Sequence, residues 1–229
     1  MSSAAALDLY LDNGWLNVFP LPLGQKFPPP KGVTGAAAET PNQQQIDQWK
    51  AVESNIGLRV PDTVIGIDID AAGGKVGADT MRALVKRLGR LPKTWRSTAR
   101  NDSISGIYFY RVPTGIAWAS KAGIDVDIIQ TGHRYAVVEP SLHPEGGRYR
   151  WLDADGNPSG IPAIELLPEL PAAWIEHLAS PVAVERHQCG GACDPYPQAF
   201  LIGEIDLTDP VQALADINRI IDQLKRNDG

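Results

Sequence analysis

Asp68 and Asp70 close an apolar run, Val64-Ile65-Gly66-Ile67-Asp68-Ile69-Asp70, and Ala71-Ala72-Gly73-Gly74 follows at once. No helical period passes through these residues, and their β-branched composition reads as a buried strand. Successive strand side chains alternate faces, so the two carboxylates share one face, roughly 6–7 Å apart along the strand. Acids held side by side at the end of an apolar strand repel each other, and a divalent cation is the simplest relief. For an isolated Asp-x-Asp the commoner outcome is a strand ending in a solvated acidic turn. The rest of the chain is what favours a site.

Around this run the sequence reads as alternating helices and strands. Residues 5–13 form a short helix ended by Gly14, and Trp15 to Leu21 a first strand that Pro20 ends or confines to a sheet edge. Gly24-Gln25-Lys26-Phe27-Pro28-Pro29-Pro30-Lys31-Gly32 is a stiff, non-helical loop carrying two lysines, by composition a connector. A helix is expected from Thr40-Pro41 to about Val52, with Pro41 in its first turn and Ile46, Trp49 and Val52 on its apolar face. Asn55 to Val60 is a short strand, and Pro61-Asp62 turns into the strand that ends at Asp70. Residues 77–88 are helical, since Met81, Leu84, Val85 and Leu88 recur at i, i+3, i+4 and i+7. Strands follow at 92–98, 107–112, 124–129, 135–138 and 148–152, the last running into a turn at Asp155-Gly156-Asn157-Pro158. Helices early and a run of strands with short connections make an α+β order. From about Ile161 the character changes, with a short helix from Pro171 to Ala179 and a Gly-rich loop holding Cys189 and Cys193. A later helix is capped by Asp209 and carries a stripe of Val211, Leu214, Ile217, Ile220, Ile221 and Leu224.

Composition sets the outer limits. Hydrophobic residues at 43% and charged ones at 21% describe an ordinary globular chain with ample core. No apolar stretch reaches membrane-spanning length, and the N-terminus lacks the basic and apolar regions of a secretory leader, so no membrane partner is expected. Two cysteines in one short segment fit a reducing cytoplasm better than a disulfide framework. A net charge of −6 argues against a coat of basic patches. It is compatible with a local basic groove beside acidic residues.

Several segments taken together resemble the primase-polymerase (prim-pol) branch of the archaeo-eukaryotic primase superfamily, in the form found in phage and plasmid replication proteins. That superfamily carries, in chain order, an Asp-x-Asp/Glu strand end, a Ser-x-His strand and a hydrophobic-Asp strand. Asp68-Ile69-Asp70 matches the first and Val126-Asp127 the third. Val18-Phe19-Pro20-Leu21, Gly24-Gln25-Lys26, Asn55-Ile56-Gly57-Leu58-Arg59, Tyr135 to Pro144 and Tyr149-Arg150-Trp151 add to the likeness, which covers roughly residues 14–170. The second motif departs: Ser105-Gly106-Ile107 keeps the serine and has isoleucine in the histidine's place. In the family that histidine helps hold the triphosphate of the incoming nucleotide. A literal Ser-x-His stands later, at Ser141-Leu142-His143, with Leu152-Asp153 as a conceivable hydrophobic-Asp behind it. The earlier assignment is preferred, because Pro-Ser-x-His-Pro recurs in the family beyond the third motif.

The resemblance implies a mixed or antiparallel central sheet of RRM-like type with flanking helices, a catalytic domain over residues 1–170, and a C-terminal helical extension over 171–229. It implies a DNA primase/polymerase of bacterial or phage-infected cytoplasm that transfers nucleotides from nucleoside triphosphates onto a strand copied from single-stranded DNA, in some relatives with a helicase as partner or fused domain. Asp68, Asp70 and Asp127 would hold two Mg2+ or Mn2+ ions, which suit oxygen-only ligands. Asp125 points the same way as Asp127 by strand alternation, and Asp127 is favoured. Arg59, Arg96, Arg100, Ser103, Ser105 and His143 are the nucleotide-binding candidates, because an arginine fork can take a phosphate that the missing histidine does not. Lys26 is a further phosphate or template candidate, and template binding would also use exposed aromatics. A two-metal nuclease and a degenerate, non-catalytic domain that binds single strands or nucleotides are the alternatives. His187, Cys189 and Cys193, with His177, compose a possible zinc set. Cys-x3-Cys is not the tight Cys-x2-Cys knuckle, however, and two free thiols is the preferred reading.

Overall fold

The β-branched run from Val64 to Ile69 becomes a central strand because both of its faces find apolar partners. The computed structural model describes residues 1–179. In order they build α1 (Ser3–Asp12), β1 (Val18–Leu21), α2 (Gln43–Lys50), β2 (Asn55–Leu58), β3 (Val64–Ile69), α3 (Gly77–Leu88), β4 (Arg96–Thr98), β5 (Gly106–Arg111), β6 (Lys121–Gly123), β7 (Val126–Ile129), β8 (Ala136–Val138), β9 (Arg150–Leu152), β10 (Pro158–Ser159) and α4 (Ala172–Leu178). A turn of 3-10 helix at Ile164–Leu166 precedes α4. The α+β class is as expected, with two antiparallel sheets and four α-helices among the described residues. The larger sheet runs β10-β9-β4-β5-β3-β7-β6, and the smaller runs β1-β2-β8. None of the described helices is long and apolar enough to cross a membrane.

Alternation along β3 divides the large sheet into two chemically distinct faces. Ile65, Ile67 and Ile69 point to one side, where Val126, Ile128 and Tyr110 join Met81 and Leu84 of α3 and Trp174 and Leu178 of α4. Val64 points to the other side, where Ile107, Phe109, Ile129 and Trp151 meet α1 and the small sheet. Three rings knit that second core: Phe109 lies 5.7 Å from Trp15 and 5.0 Å from Trp151, centroid to centroid. Their polar edges are satisfied. The Trp15 indole donates to the Pro162 carbonyl at 2.7 Å, and the Trp151 indole to the Tyr10 hydroxyl at 2.9 Å.

Local signals decide the boundaries. α2 starts later than expected: Pro41 precedes the helix, and Asn42 caps it. The Asn42 side chain accepts from the Gln45 amide while the Gln45 side chain accepts from the Asn42 amide, a reciprocal pair that outweighs proline's fixed φ. Because α2 ends at Lys50, Val52 falls outside it and is exposed instead of lying on its apolar face. β1 sits at the edge of the small sheet, where Pro20 costs no ladder bond. β6 carries no alternating apolar pattern and was not expected. The possible zinc residues His187, Cys189 and Cys193 and the helix expected after Asp209 lie outside the described residues. His177 is described, and its ring sits on the Arg87 guanidinium at 2.9 Å.

Gly57 pairs with Phe19 across β2 and β1, and a Cβ there would stand 2.3 Å from the buried Phe19 ring. Gly57→Ala should therefore destabilise the domain by about 1–3 kcal/mol through overpacking. A lowered midpoint in urea unfolding would show it, and an unchanged midpoint would contradict this account of the small sheet.

Candidate active site

Antiparallel pairing sets the acids opposite each other. Asp68 on β3 is in register with Asp127 on β7 and, on its other side, with Ile107 on β5. Directly opposed residues project to the same face with Cβ atoms roughly 4.5–5.5 Å apart. The row continues to Lys121 on β6 at one end and Ser97 on β4 at the other. It crosses the same face as the Trp15–Phe109–Trp151 core. There the face turns from apolar to acidic.

This end of the sheet floors a cleft of about 200 Å³. Asp68 and Asp70 line it together with Ile107, Ser97 and Ser105, while Lys26, Arg100, Tyr135, His143 and Tyr149 form the facing walls. Burial pushes the Asp68 carboxyl up to about 6, the Asp127 and Asp70 charges adding to the effect and Lys26 and Arg134 opposing it. Burial and neighbouring Arg100 lower the Lys26 ammonium, with Asp68, Glu145 and Asp70 pulling it back. Asp70 is paired with Lys75 at 2.5 Å, and Asp127 with Arg134 at 3.0 Å. The other Asp127 oxygen, Oδ1, is buried without a hydrogen-bond partner, its nearest cation being Lys121 at 4.0 Å. With Asp70 and Asp127 each turned to a cation of its own, no three acidic, histidine or cysteine side chains among the described residues converge on one point. The donor set nevertheless suits a hard divalent ion: three carboxylates, one raised in pKa by burial and by its acidic neighbours, and one with an orphaned oxygen.

Asp125 departs from the expectation of strand alternation. It lies before β7 in the left-handed region at φ 55, so it does not share the Asp127 row. Its side chain accepts from the Val76 amide at 2.9 Å at the start of α3, and its carbonyl accepts from the Asp70 amide at 2.9 Å. The Gly77 amide donates to the Asp70 carbonyl at 3.1 Å, and a Cβ at Gly77 would stand 2.4 Å from that oxygen. Asp125 and Gly77 thus clamp the turn that carries Asp70. Ser105 helps from the far side, its hydroxyl accepting from the Ala71 amide at 3.1 Å.

The remaining candidates divide sharply. Arg100 and His143 line the cleft; Arg100 also pairs with Glu145 at 3.1 Å. His143 Nδ1 accepts from the Glu145 amide at 3.1 Å, which leaves the proton on Nε2. Its pKa is lowered by burial and by Lys26 and Arg100, so the ring stays neutral near pH 7. Ser141 of the literal Ser-x-His is spent on the fold, accepting from the Ile56 amide at 2.7 Å. Arg59 is buried with its guanidinium on Asn17 and the Glu39 carbonyl, outside the cleft. Arg96 lies on the opposite face, over the Tyr108 ring at 5.5 Å. Ser103 is exposed in the loop before β5 and does not line the cleft. Sequence reading passed over Lys75 and Arg134, which lie on irregular segments with no periodicity to flag them, and it met Tyr149 only as part of the family resemblance and not as a cleft residue.

Residues 6–173 match the family described as "Bifunctional DNA primase/polymerase, N-terminal". The chain belongs to the Prim-Pol family. A search of curated proteins finds no match. Prim-Pol domains are nucleotidyltransferases that bind nucleotides and DNA and generally use divalent metals.

Two tests follow from the geometry. A carboxyl that holds its proton more tightly when folded costs stability as pH rises from its ordinary value, 3.8, to about 6. In divalent-free buffer, unfolding free energy should fall across that interval. Asp68→Asn should flatten the fall and be more stable near neutral pH by on the order of 1–3 kcal/mol, as read from urea titrations at several pH values. Asp125→Ala should cost about 1–2 kcal/mol through the lost cap and the strained φ, while Asp125→Asn, which tolerates both, should cost less. Thermal unfolding of the two variants checks the difference.

Proposed function

We propose that this Prim-Pol domain is a template-directed primase/DNA polymerase that transfers nucleotides through two divalent ions, Mg2+ or Mn2+, held by Asp68, Asp70 and Asp127. The observation that carries the reading is the register of Asp127 opposite Asp68, on a face that opens into a cleft with cationic walls. Bound there, the ions would make the strand's 3′-oxygen nucleophilic and neutralise the leaving pyrophosphate. Asp68 and Asp127 hold their positions through the β3–β7 ladder, and Asp70 through the clamp made by Asp125, Gly77 and Ser105. Lys26, Arg100 and neutral His143 face the carboxylates; Arg100 as a planar fork and His143 by donating from Nε2 would take the triphosphate, and Lys26 would meet the phosphates of the strand. Lys75 and Arg134 neutralise Asp70 and Asp127 until the substrate complex assembles.

Ile107 favours a second reading. It stands beside Asp68 where the family's histidine would stand, and it is buried against the sheet. A domain that binds nucleotides or single strands without catalysis would carry such a change. Primer extension on a single-stranded template, with Mg2+ or Mn2+, separates the two. Synthesis by the wild-type chain that falls at least about a hundredfold in Asp68→Ala/Asp70→Ala, with folding kept, supports the polymerase. Binding without synthesis supports the second reading, and degradation of the primer would point to a nuclease.

A further inference from the structure

Among the described residues every Tyr, Trp and Phe except one is buried or half-buried. The exception is Phe27, 71% exposed. A single exposed apolar side chain needs no explanation in itself. Phe27 differs in how it is held. The carbonyl of Gln25 accepts from the Asn55 side chain at 2.8 Å, and the carbonyl of Lys26 accepts from the Tyr135 hydroxyl at 2.6 Å. Pro28-Pro29-Pro30 stiffens the chain on the other side. The backbone that carries the exposed ring is therefore pinned on its N-terminal side and stiffened on the other. Its predecessor, Lys26, reaches into the cleft beside Asp68. Consecutive residues thus put a cation in the cleft lining and an aromatic ring outside it.

A cation that meets a phosphate backbone next to a ring that meets a base is the pairing by which proteins hold single strands without reading sequence. We propose that Phe27 is a stacking platform for an unpaired base of the single strand that enters the cleft past Lys26. The base belongs to the strand and not to the incoming nucleotide, because the nucleotide's phosphates must reach Asp68 at the cleft floor while Phe27 lies outside the cleft lining. This inference rests on the reading of the cleft as a strand-copying site.

The test compares the full 229-residue chain with its Phe27→Ala and Phe27→Trp variants. Fluorescence anisotropy would follow binding of a labelled oligothymidylate and of a strand of equal length carrying abasic residues. Phe27→Ala should bind the oligothymidylate at least about fivefold more weakly and the abasic strand unchanged. Phe27→Trp should keep the affinity, and its added indole should be quenched by oligothymidylate but not by the abasic strand. Equal loss on both strands, no loss, or a loss confined to a nucleoside triphosphate would overturn the assignment. If Asp68→Ala/Asp70→Ala loses synthesis while Phe27→Ala binds oligothymidylate like the wild type, the Phe27 inference alone fails. If the wild-type chain binds neither strand, the strand-copying reading fails with it.

Discussion

The repulsion between Asp68 and Asp127 is the constraint around which the rest of the domain is arranged. Two carboxylates directly opposite each other on neighbouring strands are unfavourable, and partial burial makes them more so. A sheet tolerates the pair only when the surrounding ladder is strong enough to hold it. Here β3 is bracketed by β5 and β7 along nearly its whole length, and its opposite face is sealed by three isoleucines under α3 and α4. Hydrophobic burial, worth roughly 25 cal/mol per Å², offsets the electrostatic cost at one end of the strand.

The same logic explains the cations nearby. Lys75, Arg134 and Lys26 come from three separate segments, yet each bears on one of the acids. Lys75 and Arg134 are half-exposed and long, so solvent screening and side-chain entropy keep their pairs weak and they can be displaced without disturbing the sheet. Lys26 is different. Its backbone is pinned by Tyr135, and its side chain belongs to the cleft wall.

Ile107 shows how a cleft can lose one polar contact and keep its shape. A side chain at that position must lie between Asp68 and Ser97 and above Gly66, where a Cβ would come within 2.6 Å of the Ile107 Cγ2. The β-branched side chain fills this gap and extends the apolar core to the edge of the acids. His143 enters from the opposite wall, held by the Glu145 amide and packed 5.8 Å from the Tyr149 ring. The imidazole that lines the cleft thus sits on a loop and not on the sheet.

Asp68, Asp70, the helix at 77–88 and most of the strands were legible from the sequence, because periodicity and β-branched composition are local properties. Lys26 was named from the sequence as a phosphate or template candidate, but its place beside Asp68 was not legible, and Asp125 was read as a strand residue when it is a positive-φ turn beside the start of α3. Alternation along a sequence says which face a residue takes only where the backbone stays extended, and a turn breaks it without an apolar signal. Which strand lies beside β3, and hence that Asp127 stands opposite Asp68, depends on hydrogen-bond register between segments some sixty residues apart. No local pattern encodes that register; it is settled when the two cores close on either side of the sheet.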